Sequence, residues 1–132
     1  MNDRLKIRVL TALVVLLAGA LGLAAYKFLV AGSTEKSQDG RTAILLSASE
    51  RDLVLAEMRG FVEAVRDITV ALAREDMAAA AAAAKVVGMA NAQNVPPSLI
   101  GKLPLEFKQL GFSVHGDFDK LALDAKDLGM PM

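Results

Sequence analysis

The stretch VLAEMRGFVEAVRDITVAL, residues 54–72, decides the fold of this chain because its apolar residues recur at helical spacing. The steps between them alternate between four and three residues, which predicts one apolar face on a helix. This predicted inward stripe consists of Val54, Met58, Phe61, Val65, Ile68 and Leu72. Charged residues occupy the opposite side, with Arg59 and Glu63 four residues apart. The pattern is typical of an amphipathic helix that packs against a core.

Capping signals on both sides of this stretch define two helices. Ser47 and Glu50 have the spacing of a capping box, so the first helix should run over residues 48–74. Asp76 precedes Met77 and seven consecutive alanines, and it can cap a second helix that continues through Met89 and ends before the next prolines. Alanine has high helix propensity and little bulk, which favours a buried packing helix.

A third helix should begin with Pro104 at its first position, where a proline is tolerated. Its predicted inward stripe is Phe107, Leu110, Val114, Phe118, Leu121, Ala125 and Leu128. With so few aromatic residues, the composition favours helices over a β-sandwich. We therefore expect an all-α fold in which residues 47–132 form an antiparallel three-helix bundle, an incomplete four-helix type.

The N-terminal region has the features of a membrane anchor. Val9 to Tyr26 contains no charged residue and would span about 27 Å as a helix. Arg4, Lys6 and Arg8 precede it, and the positive-inside rule places such a basic cluster in the cytoplasm. We expect residues 1–32 to form a cytoplasmic tip and a single transmembrane helix, and residues 33–46 to form a linker.

The anchor residues that we expect to contact lipid or a neighbouring helix are Val9, Leu16, Ala18, Gly22 and Tyr26. Ala18 and Gly22 form a pair of small residues that would allow close helix approach. The predicted location is the bacterial inner membrane, with the C-terminal domain in the periplasm. A cleaved secretory signal is the alternative, because Val30-Ala31-Gly32 is a tolerable cleavage site after a basic start.

The residue counts exclude several classes of function. A chain of 132 residues buries one modest core, and the absence of Cys removes disulfides, zinc–thiolate sites and thioether-linked haem. From residue 33 onward, 11 basic and 14 acidic residues give a net charge of −3, which argues against a nucleic-acid partner. His115, the single histidine, is expected at the boundary of a packed helix. We expect no enzyme activity, no catalytic residue, no metal and no cofactor.

The order of elements carries a family resemblance. An apolar N-terminal segment is followed by a helix with an inward Met and a basic residue, an Ala-rich helix, a Pro-containing crossover and a third helix. The residues concerned are Met58-Arg59, Leu103-Pro104, Phe107-Lys108 and Phe118-Asp119. Over about Ala48–Leu128 the chain resembles the cytochrome c-prime group of four-helix-bundle cytochromes. That group binds haem through Cys-x-x-Cys-His near the end of its fourth helix. This sequence contains neither that motif nor a segment that we expect to form the fourth helix. The resemblance therefore implies a haem-less, three-helix derivative or fragment of that architecture, with Met58 in its core.

Three hypotheses of function follow from these features. The leading one is a non-catalytic, membrane-anchored accessory subunit of a larger membrane complex, and the resemblance implies a redox complex. It would use Val62, Leu110 and Phe112 as interface candidates, against other subunits or a second copy. The alternatives are a noncovalent b-type haem protein with Met58 and His115 as axial ligands, and a helical extracytoplasmic sensor module. A Soret band in the absorbance spectrum would favour the haem alternative.

Overall fold

The computed structural model describes residues 3–129, which are mostly helical, with 76% helix and 5% strand in the chain. The elements are α1 (Asp3–Tyr26), a π-helical turn (Lys27–Ala31), β1 (Thr34–Lys36), β2 (Thr42–Ile44), α2 (Ala48–Leu72), α3 (Met77–Val86), α4 (Met89–Ala92), α5 (Pro97–Ile100) and α6 (Leu105–Leu128). The predicted helical class with one long apolar N-terminal helix is confirmed. The predicted domain limits at residues 1 and 132 lie outside the described residues.

The first helix and the π-helical turn form one continuous segment, Asp3–Ala31, of 29 residues. None of its apolar window is buried in the protein, and no residue of α1 belongs to the core. By length and composition this segment is able to cross a membrane.

Residues 33–46, which the sequence suggested as a linker, contain a β-hairpin. The strands β1 and β2 pair antiparallel, with Thr34 opposite Ile44 and Lys36 opposite Thr42. Gly40 has φ of +82° in the connecting turn, a conformation that glycine adopts without steric cost. The strands are only three residues long and mostly exposed, so they lack the alternating apolar pattern by which a strand is predicted.

The core forms where α3 packs between α2 and α6. Two clusters of buried residues each take one member from each helix: Ile68, Ala84 and Ala122 in one, and Ala71, Ala80 and Ala125 in the other. Ala80 and Ala84 have no exposed surface. Along these clusters the residue numbers of α2 and α6 rise together while those of α3 fall. The helices α2 and α6 therefore run parallel to each other and opposite to α3.

Both predicted inward stripes are rotated relative to the observed core. On α2, Met58, Val65 and Leu72 are exposed, whereas Ala64 and Ala71 are buried. On α6, Leu110, Leu121 and Leu128 are exposed, and His115 and Ala122 are buried outside the predicted stripe. Ile68 and Ala125, which the stripes do contain, are buried as predicted. The alanines of α3 allow close approach, so small side chains fill the contacts and the larger ones remain at the flanks.

The predicted caps of the first two helices are confirmed. Ser47 Oγ accepts a hydrogen bond from Glu50 N at 3.3 Å, and Glu50 Oε2 accepts one from Ser47 N at 2.8 Å. Asp76 Oδ1 accepts one from Ala79 N at 2.9 Å. Pro104 is the N-cap residue of α6 rather than its first helical residue.

The second helix is shorter than predicted because a side chain of α6 interrupts it. Helix α3 ends at Val86, and Gly88 is extended before α4 begins. Asp119 accepts hydrogen bonds from Met89 N at 2.9 Å and from Lys85 Nζ at 2.7 Å. A Cβ at Gly88 would collide with the Asp119 carboxylate. Hydrogen bonds from Lys85 and then Met89 hold the pKa of Asp119 below its usual range.

Candidate functional site

His115 is buried where α2, α6 and the end of α3 meet. The residue is 4% exposed, so it lies inside the core rather than at the boundary of a packed helix, where the sequence predicted it. Nδ1 donates a hydrogen bond to the Val87 carbonyl oxygen at 2.8 Å, and Nε2 lies 3.1 Å from Glu57 Oε1. The ring of Phe61 lies 5.0 Å from the imidazole, centroid to centroid. The sequence does not indicate Glu57 as a partner of His115, because Glu57 falls outside the apolar stripe.

The contacts of His115 join three elements, α2, α6 and the end of α3. A carbonyl oxygen only accepts hydrogen bonds, so Nδ1 carries the hydrogen of the bond to Val87. A second hydrogen bond joins Nε2 to the Glu57 carboxyl group. Within residues 3–129, every buried side-chain nitrogen or oxygen has a hydrogen-bond partner. Met58 is 39% exposed on α2, whereas His115 is buried and contacts the end of α3.

A groove of about 330 Å³ lies beside this network, between α2 and the segment that contains α3 to α5. Its lining is mainly apolar and includes Leu53, Val54, Val87 and Leu99. Glu57 is the acidic residue in the lining, and its carboxylate is already bound to His115. The groove thus offers apolar surface but no carboxylate free of an internal partner.

The end of the apolar N-terminal segment packs directly against the helical domain at Gly32. This residue has φ of +65° and ψ of −166°, a region that is nearly exclusive to glycine. A Cβ at Gly32 would lie 2.5 Å from the carbonyl oxygen of Lys102 and 2.7 Å from Pro104 N. The next residue, Ser33, donates its backbone N–H to Lys102 O at 2.8 Å. The backbone therefore passes directly against the loop before α6.

A second set of contacts holds the end of the N-terminal segment. Lys108 Nζ donates to the carbonyl oxygens of Phe28 at 2.8 Å and Leu29 at 3.3 Å. The same ammonium lies 5.8 Å from the centroid of the Phe28 ring. A Cβ at Gly101 would collide with that ring. A lysine of α6 thus satisfies backbone carbonyls that the last turn of a helix leaves free.

An ion pair links the loop before α6 to the start of α2. Lys102 Nζ lies 2.7 Å from both carboxylate oxygens of Glu50. This hydrogen bond, followed by the backbone N–H and hydroxyl of Ser47, lowers the pKa of Glu50 to about 2. Two successive hydrogen bonds, from Ser33 N to Lys102 O and from Lys102 Nζ to Glu50, therefore join the apolar segment to α2. The hydrogen bond from Lys108 Nζ to Phe28 O joins it to α6. We call residues 28–33, 101–108 and Glu50 the junction.

The stability of the junction should depend on acid pH. Because the folded pKa of Glu50 is below its ordinary 4.5, its contribution is present above pH 4.5 and is lost as the pH falls toward 2. We expect the difference in unfolding free energy between the wild type and Glu50→Gln to shrink across that range. Thermal unfolding followed by circular dichroism at several pH values measures it. Lys102→Met should remove most of the same dependence, and an unchanged dependence would contradict this assignment.

The expected anchor residues all lie on α1. Val9, Leu16 and Tyr26 are exposed large side chains, and nothing lies within 4 Å of a Cβ added at Gly22. Ala18, one helical turn before Gly22, is also exposed. The small pair Ala18 and Gly22 is thus open to a neighbour.

The interface candidates occupy two different surfaces. Val62 on α2 and Leu110 on α6 are 71% and 62% exposed. Val62 follows Phe61, which stacks on Phe118, and Leu110 lies about two turns before Phe118, where it lines a pocket with the β-hairpin. We call the surface on the side of α2 and α6 away from α3 the outer face. Helical spacing places these apolar residues on it: Leu55, Met58, Val62, Val65, Leu72, Leu110, Val114, Leu121 and Leu128. Phe112 lies elsewhere on α6, beside a small pocket that also contains His115.

Comparisons with protein-family models, curated proteins and solved structures find no match to this chain. The resemblance to the cytochrome c-prime group therefore rests on the order of elements and on the residues quoted for it.

Proposed function

We propose that this chain is a non-catalytic accessory subunit that is anchored in a membrane by one helix and presents a helical domain outside it. The junction is the observation that carries this proposal. An anchor for an independent domain needs only a flexible tether, whereas here Gly32 and Lys108 bind the end of the apolar segment to the domain. Such a connection favours a role in which the domain is held at a defined place beside the membrane.

The polar groups of the domain support a structural role. His115 and Glu57 bind each other, and Asp119 binds Lys85 and caps α4. Each of these groups is bound to another part of the chain and connects two elements. The function proposed for the domain is therefore recognition of a partner through an incomplete four-helix-type bundle.

The proposed location is a bacterial inner membrane, with the N-terminus in the cytoplasm and residues 45–132 in the periplasm. The uncharged run behind Arg4, Lys6 and Arg8 supports this orientation. The cytochrome c-prime-like layout supports a haem-less relative in a redox complex. The periplasmic location and the place in a redox complex are both part of the proposal.

Fractionation of cells that express the full chain tests the anchor. We expect the protein to stay in the membrane after alkaline and high-salt washing, with the helical domain accessible to protease from the outer side. A variant with Leu16→Arg and Leu21→Arg should lose this retention, because an arginine at mid-membrane costs about 3 kcal/mol. Release of a wild-type chain with a shortened N-terminus would instead show a cleaved signal and contradict the anchor.

A further inference from the structure

The outer face combines an apolar centre with charges of opposite sign at its two edges. Along the edge on α2, exposed Arg59, Glu63 and Arg66 follow one another at intervals of one helical turn. Along the edge on α6, exposed Asp117, Lys120 and Asp124 do the same. The charges alternate positive, negative, positive on α2 and negative, positive, negative on α6, so the face is complementary to a rotated copy of itself.

The spacing of these charges matches along the two helices. Arg59 and Arg66 are seven residues apart, as are Asp117 and Asp124, so each pair is separated by about 10 Å of helix. Because α2 and α6 run in the same direction, the second charge of each pair lies farther along the same face. The two helices do not stay level, since α2 advances 11 residues (57 to 68) and α6 advances 7 (115 to 122) between the Glu57–His115 and Ile68–Ala122 contacts. Arg66 and Asp124 are therefore offset by about 5 Å along the helices, within the reach of an arginine side chain.

The heights of Arg59 and Asp117 also match. Glu57 on α2 is bound to His115 on α6, with 3.1 Å between Oε1 and Nε2. Arg59 and Asp117 each follow that contact by two residues in helices of the same direction. They therefore lie at about the same level, on opposite edges of the outer face.

We propose that the outer face binds a second copy of this chain, with α2 of each copy packed against α6 of the other. A twofold axis parallel to the two helices places Arg59 opposite Asp117 and Arg66 opposite Asp124 of the partner copy. It buries apolar side chains such as Val62 and Leu110 in a four-helix core made of two helices from each chain. An apolar surface of this kind is unusual on a free monomer.

The proposed pairing goes beyond the accessory role and does not depend on the anchor. Soluble or membrane-bound chains would pair in the same way. Failure of the pairing would leave the fractionation result unaffected, and failure of the anchor would leave the pairing unaffected.

Two charge-reversed forms of the full chain in detergent test the arrangement. The acidic form carries Arg59→Glu and Arg66→Glu, and the basic form carries Asp117→Lys and Asp124→Lys. Each form alone sets like charges against each other across the interface, so we expect its dimer dissociation constant to rise about tenfold or more. An equimolar mixture should recover a dimer, because the acidic α2 then faces a basic α6. Light scattering coupled to size-exclusion chromatography measures the masses.

Matched variants separate this interface from other effects. Asp67→Arg reverses one charge on the same helix, about 100° around the helix axis from Arg66 and away from the outer face, and it should leave the dimer unchanged. Val62→Asp places a charge in the apolar centre and should give a monomer whose circular dichroism remains helical, because Val62 is exposed.

Three results would overturn the proposal. One is a wild-type chain that stays monomeric at every concentration reached. Another is a dimer that keeps its affinity in both charge-reversed forms, as a contact through the small pair Ala18 and Gly22 would. The third is a mixture of the two forms that fails to recover the dimer.

Discussion

Replacing Ala84 by leucine should destabilise the helical domain by about 1–3 kcal/mol, because the larger side chain overfills a packed core. Ala84 has no exposed surface and packs between Ile68 of α2 and Ala122 of α6. Three added carbons at this point must push at least one of the two neighbouring helices away. Thermal and denaturant unfolding of the full chain, followed by circular dichroism, measures the loss.

Ala82→Leu is the matched control for this prediction. Ala82 belongs to the same alanine run but is exposed, so leucine there has a similar helix propensity and no packed neighbour to displace. Its unfolding free energy should stay within about 0.5 kcal/mol of the wild type, as for most surface substitutions. Equal effects of the two substitutions would show that α3 does not pack as tightly as these contacts require.

Replacing Gly32 by alanine should open the junction. Positive φ costs a residue with a Cβ about 1–2 kcal/mol, and this Cβ would also collide with backbone atoms of Lys102 and Pro104. Backbone atoms cannot rotate away as the end of a side chain can, so the two segments must separate. We expect faster hydrogen exchange at the Ser33 amide, which donates to Lys102 O. Exchange of peptides that cover residues 28–45 in the detergent-solubilised chain measures it.

Gly40→Ala separates backbone strain from collision in this test. Gly40 also has positive φ, at +82°, but nothing lies within 4 Å of its added Cβ. The Gly40 variant should therefore lose stability only through its strained backbone conformation, and hydrogen exchange at the Ser33 amide should not change. If the two variants behave alike, the contact between the apolar segment and the domain is not tight.

Local chemistry determined the elements that the sequence predicted correctly. The capping residues Ser47 and Asp76 start their helices by bonding to backbone N–H groups a few residues away. The uncharged run from Val9 to Tyr26 marks a helix able to span a membrane by its own composition. Both depend on interactions within a few residues, so the amino-acid order suffices to predict them.

The sequence was also informative about the candidate surfaces, but it did not separate them. The sequence predicts Val62, Leu110 and Phe112 as interface residues. Val62 and Leu110 share the outer face, whereas Phe112 lies on another side of α6. Apolar spacing shows that a helix has a broad apolar arc, and it does not say which part of the arc meets a neighbour.

What only the tertiary structure decided is which residues meet across the chain. The close approach of α3 turned Ala64 and Ala71 inward and left Met58 and Val65 outside, because packing distance depends on the partner helix. Asp119 interrupts the second helix from 30 residues away, and Lys102 reaches Glu50 across 52 residues. The sequence by itself determined where helices and the apolar segment occur. The fold determined the core, the junction and the outer face, since those arise from contacts between residues distant in sequence.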